Sequence, residues 1–316
     1  MLDLAGNILA EHTGPMDVGA GPDRVLEGLA DWFPDLIAAA GVPASHVAGI
    51  GLSVPGPVDW ESGRVIEPPI MPGWDRYPIR ERLQEAYASR LDLDLDLDPA
   101  AAEAVPVLVD NDANLMALAE HQANHRDCAS FVLLKVSTGI GAGVVIGDRL
   151  YRGIDGGAGD IGHIRLHDRS DALCMCGSHG CLAAVASGRA IAGELAALGQ
   201  DTASGRDVRR LLNEGHPDAV RLAREAGRRV GEVLVTVVTL LNPGVLVIAG
   251  ELAGVPFLTG VRELVYQRAM PRATANLQVV TSRLGDHAGL VGAAAMVVEH
   301  LYSPAGADAR LERLAS

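Results

Sequence analysis

Two kinds of apolar pattern alternate along this chain. Short runs of about four to eight apolar residues, closed by Gly, Pro, Asn or Asp, read as buried strands. Longer stretches with an apolar residue every third or fourth position read as helices. Leu2 to Ala10 predicts the end of one strand, a turn containing Gly6 and the start of another, and a helix follows over about Pro22 to Ala40. Strands are expected at Val47 to Val54, closed by Pro55-Gly56-Pro57, and at Val105 to Val109. The latter enters Asp110-Asn111-Asp112-Ala113-Asn114 ahead of an Ala/Leu-rich helix to about His121. The second half opens with a strand at Phe131 to Val136, a glycine-rich turn from Ser137 to Gly143, and a strand at Val144 to Ile146. Gly188 to Leu241 has a helical pattern that stops at Asn242-Pro243-Gly244; Val245 to Ile248 is strand-like again. Gly289 to Leu301 predicts a buried last helix, and the tail after Pro304 is expected to fray.

Strand, polar turn and helix in repetition make an α/β protein. In open α/β sheets ligands sit beyond the carboxyl ends of the strands, which is where Asp110 to Asn114, Thr138 to Gly143 and Gly250 fall. Two α/β halves with a cleft between them are expected. The strictly alternating octet Leu91 to Asp98 reads as a solvated insertion loop in preference to an edge strand, because Asp is depleted in strands.

Composition narrows the function. With 316 residues, 48% of them hydrophobic and 21% charged, the chain has the material for two globular domains, and at 3% aromatic its interior must be filled by Ala, Val, Leu and Ile. A formal charge of −14 repels a phosphate backbone, so this chain is not expected to bind nucleic acid directly. No basic-then-apolar leader and no uninterrupted membrane-length run is evident. Of the four cysteines three lie within eight residues, which is ligand spacing and not staple spacing, and implies a reducing cytoplasm.

Three motifs carry chemistry. His163, Cys174, Cys176 and Cys181, in the arrangement H-x10-C-x-C-x4-C, offer one imidazole and three thiols, a closed tetrahedral set for a structural Zn²⁺. His167 and His179 are competing nitrogen ligands, and Cys128 reads as a buried small hydrophobe. Asp110 to Asn114 is either a helix cap or a site in which Asp112 accepts a proton from a substrate hydroxyl beside Asn111. Thr138-Gly139-Ile140-Gly141-Ala142-Gly143 presents amides that would suit a phosphate, although glycine hairpin turns commonly bind nothing.

Taken together, Pro55 to Asp59, Asp110 to Asn114 with Ala119-Glu120, Ser137 to Gly143, Leu150 to Gly153, Ala158 to His163 and the Cys174 to Cys181 cluster resemble the ROK family of bacterial sugar kinases and sugar-responsive transcriptional regulators. The resemblance is collinear from residue 2 to about residue 301. It implies an actin-like fold of two ribonuclease-H-like lobes: residues 1–120 with 289–303, and 121–288 carrying the zinc loop, followed by a tail over 304–316. It also implies zinc on His163, Cys174, Cys176 and Cys181, Asp112 as catalytic base, and Asn111, Asp112, Asp160 and His163 facing a sugar. Thr138, Gly139, Gly141 and Gly250 would lie on the nucleotide side, with Mg-ATP as co-substrate in a kinase, and the family implies a homodimer.

The sequence departs from the kinases of that family at several points. The D-x-G-x-T phosphate-loop strand is absent ahead of Leu2, so either the native gene product is expected to be longer or this chain cannot complete its first sheet alone. Gly180-Cys181-Leu182-Ala183 replaces a G-C-L-E motif whose glutamate holds the sugar; Asp160 shortens a glutamate, and Ile70 stands where many kinases carry asparagine. Pro68 to Asp75 and Ser282 to Gly289 look like the regulators, which reach DNA through a helix-turn-helix module not contained here. The expected function is therefore a sensor domain for a sugar or sugar phosphate. An ATP-dependent hexose or N-acetylhexosamine kinase using Asp112, and a remnant with neither activity, are the alternatives.

Overall fold

Pro34 divides the predicted first helix. In this computed structural model, which describes residues 1–91, 105–304, 306–308 and 311, α1 (Pro22–Ala30) ends before α2 (Phe33–Ala40) begins. A proline in mid-helix lacks the amide for an i to i−4 bond and drives its ring into the carbonyl four residues back. Residues 92–98 of the alternating octet lie outside the described residues.

The chain divides into two compact units, Met1–Leu115 with Gly289–Ser316, and Met116–Ala288. In the first, β1 (Ile50–Val54) pairs in parallel with β4 (Val107–Asn111), from Ile50 opposite Val107 to Val54 opposite Asn111. A small antiparallel pair, β2 (Val58–Asp59) and β3 (Arg64–Val65), and the helix α3 (Ile79–Arg90) complete the run between them. The opening hairpin is reduced to a single bridge, Leu2 with Ile8, around a turn in which Asp3 Oδ1 accepts from the amides of Ala5 and Asn7. Trp74, Met71, Ile79, Leu83 and Val109 fill the core, and Trp74 Nε1 satisfies its one donor on the Val18 carbonyl at 2.9 Å.

The helix α4 (Asp112–Asn124) follows β4 directly, three residues longer than predicted. In the second unit, β5 (Ser130–Val136), β6 (Ile140–Ile146) and β7 (Arg149–Tyr151) form an antiparallel meander. The predicted glycine turn is shorter than its sequence suggests: Gly141 and Gly143 lie in β6, opposite Lys135 and Leu133, and only Ser137-Thr138-Gly139 turns. After a short helix, α5 (Leu182–Ala186), the helical stretch from Gly188 is three helices, α6 (Gly188–Ala197), α7 (Gly205–Asn213) and α8 (Pro217–Leu241). Ser187 caps α6, Ser204 and Asp207 form a reciprocal capping box on α7, Pro217 opens α8 and Asn242 closes it in the left-handed region.

The strand β8 (Val245–Ala249) then enters the sheet parallel to β5, followed by α9 (Val255–Arg268), α10 (Pro271–Thr274) and β9 (Gln278–Thr281), giving the order β7-β6-β5-β8-β9. Both faces of β5 are buried: Val132, Leu134 and Val136 meet the large core with Leu234 and Phe257, while Phe131 and Leu133 meet Met116, Ala117 and Val247. A strand covered on both sides reads as a continuous apolar run, which is why the pattern located it.

The last helix, α11 (Ala288–Tyr302), is buried on one side and not throughout: Gly292, Ala293, Met296, Val297 and Leu301 face inward, while Glu299, His300 and Tyr302 are exposed. A Cβ on Gly292 would fall 1.9 Å from the Leu115 carbonyl oxygen, so this helix seats only because the residue has none. Beyond it, residues 304, 306–308 and 311 are helical, and the rest of the tail expected to fray lies outside the described residues. Among the described residues no helix is long and apolar enough to cross a membrane.

Candidate functional site

A backbone contact brings the predicted metal ligands together. The segment Gly159 to His163 lies flat against β6: Ala142 N donates to Gly159 O at 2.8 Å, and Cβ atoms on Gly159 or Gly162 would sit 1.8 Å from Ala142 O and 2.2 Å from Ile140 O. The short 3-10 turn Ile161–His163 that results carries the imidazole. Bridges from Arg165 to Cys181 and from Leu173 to His179 fold the following loop back on itself, with Gly177 and Gly180 both at φ 81.

The potential ligand atoms of His163, Cys174, Cys176 and Cys181 all lie within 4.8 Å of one another. Cys174 Sγ is 3.6 Å from His163 Nδ1 and Cys176 Sγ is 3.7 Å from Cys181 Sγ. Around a tetrahedral ion with metal–sulfur bonds of about 2.3 Å and metal–nitrogen bonds of about 2.0 Å, these separations should be about 3.6 and 3.8 Å, so the donor set fits a metal. All four cysteines are free thiols. His167 and His179 are not in the cluster, and Cys128 is half-buried, with its Sγ donating to the Ser130 carbonyl. Burial acts to raise the Cys176 thiol, but hydrogen bonds from Ser178 and the neighbouring sulfurs bring it down to about 6. Cys181 is pushed up to about 12, first by burial and then by its bonds to Cys176 and Cys174. The other imidazole nitrogen, Nε2, lies 3.8 Å from the carboxylate of the exposed Asp160. Ala183, in the first turn of α5, packs against the large core.

In the first unit the polar run from the end of β4 into α4 divides its roles. Asp110 is buried, accepting from Asn111 N at 2.7 Å and Asn114 Nδ2 at 2.9 Å. Asn111 takes the capping role, its Oδ1 accepting from Ala113 N at 2.9 Å and Asn114 N at 3.4 Å, while its Nδ2 donates to Gly56 O at 3.0 Å and ties the Pro-Gly-Pro turn to the strand end. Asp112 is the first residue of α4 and is partly exposed. Thr138 and Gly139 occupy the exposed hairpin turn in the second unit; Gly141 is inside β6, and Gly250 follows β8 at φ 94.

Glu120 is a residue whose role the pattern did not disclose. It is fully buried, and its Oε1 accepts from Ser282 Oγ, Arg283 N and Leu284 N, while Oε2 accepts from Asn124 Nδ2. A glutamate embedded in an Ala/Leu helix was the available signal, since buried carboxylates are rare unless satisfied.

Comparison with known proteins follows the same lines. A family model described as the ROK family matches residues 1–300. A putative xylose repressor from Caldicellulosiruptor sp. (strain Rt8B.4) is 29% identical over 319 residues, covering 96% of this chain and 75% of that protein. Among solved structures, a ROK family transcriptional regulator homologous to the E. coli MLC protein superposes with a TM-score of 0.75 at 26% identity, over 95% of this chain and 74% of its own. A glucokinase from Streptomyces griseus in complex with glucose and AMPPNP gives 0.70 at 28%, over 93% of each. The fold is the actin-like α/β fold of these sugar kinases and regulators.

Proposed function

The chain belongs to the ROK family, and we propose that within it this protein is the sugar-sensing effector part of a transcriptional regulator. A sugar or sugar phosphate is the effector, with Asn111, Asp112, Asp160 and His163 as the residues assigned to its hydroxyls. The observation that carries the reading is Ala183, an apolar side chain packed on the core where the family's kinases present a glutamate to the sugar. A lost acceptor weakens a sugar hydroxyl's binding by about 0.5–1.5 kcal/mol, which a sensor tolerates better than an enzyme that must hold its substrate in line for attack.

His163, Cys174, Cys176 and Cys181 would hold Zn²⁺, supported by the fit of their separations to a tetrahedral ion. With all four positions taken by protein, such an ion orders the loop after His163 and leaves no place for substrate. A homodimer in the cytoplasm is the expected assembly and location, and DNA would be reached through a separate helix-turn-helix module. The second reading, an ATP-dependent hexose or N-acetylhexosamine kinase with Mg-ATP as co-substrate and Asp112 as general base, is favoured by the likeness to the glucose- and AMPPNP-bound glucokinase.

Calorimetric titration with a panel of hexoses, N-acetylhexosamines and their phosphates, beside an assay of ADP release, separates the two. Binding without turnover is expected, weakened at least about tenfold by Asp112→Ala, a change of about 1.4 kcal/mol. Turnover that disappears in Asp112→Asn would establish the kinase instead.

A further inference from the structure

The three clustered thiols differ in what they meet. Cys174 and Cys181 are buried, whereas Cys176 is exposed, so a solute in the surrounding water meets Cys176 first. Its Sγ lies 3.7 Å from that of the buried Cys181. The four residues between them include Gly177 and Gly180, both at φ 81, a left-handed conformation that glycine adopts without strain and that turns the chain back on itself. Cys174 and Cys176 have only Met175 between them, and a ring that short and stiff is costly to close. The remaining cysteine, Cys128, stands apart, half-buried and donating to the Ser130 carbonyl at 3.1 Å.

Contacts that need no metal hold the loop carrying these sulfurs. Leu166 N donates to Gly180 O at 2.7 Å, Gly180 N to Ala172 O at 2.8 Å and Cys174 N to Ser178 O at 2.8 Å. Arg229 on α8 pairs with Asp168, and Arg165 Nη2 donates to Ser178 Oγ at 3.2 Å. The sulfurs of Cys176 and Cys181 are therefore held as neighbours by the protein itself. An accessible thiol beside a sheltered one is the arrangement in which an oxidant attacks the first and the second resolves the product.

We propose that Cys176 and Cys181 form a reversible disulfide under hydroperoxides, and that this bond empties the metal cluster. The Cys176 sulfur attacks one oxygen of hydrogen peroxide; the O–O bond breaks, Cys176 becomes a sulfenic acid, and the released hydroxide leaves as water with the thiol proton. The Cys181 sulfur then attacks the sulfur of Cys176, an S–S bond replaces the S–O bond, and the departing hydroxide takes the Cys181 proton as a second water. Two thiols together lose the two electrons that the peroxide gains. Only thiolates ligate zinc, so two of the four donors are lost, and His163 with Cys174 cannot close a tetrahedral site. The inference deepens the metal reading of these residues and rests on it for the loss of the ion, while the bond itself rests on the positions of the two sulfurs.

The test treats the zinc-loaded full chain with hydrogen peroxide, follows released zinc with a chromogenic chelator, and maps the cysteines by mass spectrometry after free thiols are blocked. The expected result is the loss of two hydrogens, a link between Cys176 and Cys181, release of one zinc for each link formed, and recovery of both thiols and of zinc binding after a phosphine reductant. Cys128→Ser should respond as the wild type does. Met175 is exposed beside the pair, but its oxidation adds an oxygen and is read apart from the disulfide by mass. Thiols that peroxide leaves intact, sulfinic acid in place of the disulfide, a link through Cys174, or zinc that stays bound once the link has formed would overturn the proposal. A chain that never holds zinc but still joins Cys176 to Cys181 overturns the metal reading and supports the bond.

Discussion

Glu120 Oε1 accepts a 2.5 Å hydrogen bond from the hydroxyl of Ser282, 162 residues further along the chain. The same oxygen takes the amides of Arg283 and Leu284 at 2.7 and 2.8 Å, so one carboxylate fixes the segment leaving β9 against α4. Replacing it by alanine strands a hydroxyl and two amides. Glu120→Ala is expected to lower the unfolding free energy by about 3 kcal/mol or more, and Glu120→Gln by less, since an amide oxygen can still accept. Urea denaturation checks this, and a loss within about 0.5 kcal/mol for the alanine variant would show that the network contributes little.

Metal binding at the His163, Cys174, Cys176 and Cys181 cluster should carry a proton linkage. With Cys176 near 6 and Cys181 near 12, the metal-free protein at neutral pH has an ionised Cys176 and a protonated Cys181, and an ion must displace at least the second proton. Zinc affinity, measured by chelator competition, should therefore rise with pH across the neutral range. One zinc per chain is expected by elemental analysis, and Cys181→Ser should lose it and melt earlier; affinity that stays flat with pH would count against thiol ligation.

The flat contact of Gly159 on β6 sets where His163 stands. Gly159→Ala adds a Cβ 1.8 Å from the Ala142 oxygen at a residue with φ 94, so the segment must move off the strand. Reduced zinc content is expected together with a lower melting temperature, whereas Gly177→Ala, whose Cβ meets nothing within 4 Å, should be strained only by its φ and retain more metal. Equal metal loss in both variants would argue that backbone conformation alone matters.

His125 stacks on Phe131 with ring centroids 5.5 Å apart, and its Nε2 is buried without a partner. Burial lowers its pKa below the ordinary 6.5, with Arg283 and His121 acting in the same direction and Glu120 against them. The unfolded chain then binds this proton more readily than the folded one. The stability it contributes is present above pH 6.5 and is lost as pH falls toward the lowered folded value. Melting temperature should drop on acidification from about pH 7 to pH 5, and less steeply in His125→Gln. An identical pH slope in the variant would exclude His125 as a source.

How legible all this was depends on range. The cluster of His163, Cys174, Cys176 and Cys181 was legible because its spacing is local and thiols so close together have few other uses, and the strands because burial on both faces leaves uninterrupted apolar runs. Helix breaks at Pro34 and Ser204 were blurred by apolar periodicity that continues across them, although Pro34 itself was a readable signal. Gly141 and Gly143 looked like turn residues because glycine composition does not reveal strand pairing; the ladder from Val136 opposite Ile140 absorbs them. The division of labour among Asp110, Asn111 and Asp112 needed coordinates, since capping and ligand binding call for the same residue types. Glu120 with Ser282 is a long-range pair with no periodic trace.

The discontinuity of the first unit has a bearing on biosynthesis. Its closing helix, α11, is translated only after the whole of residues 116–288 has been made. At about 5–20 residues per second, the early segment waits roughly ten to thirty seconds on the ribosome with the surface around Gly51 and Leu115 uncovered. The second unit, contiguous in sequence, has no such wait, so the later-synthesised part of the polypeptide can mature first and the nascent N-terminal part is the one that would call for chaperone protection.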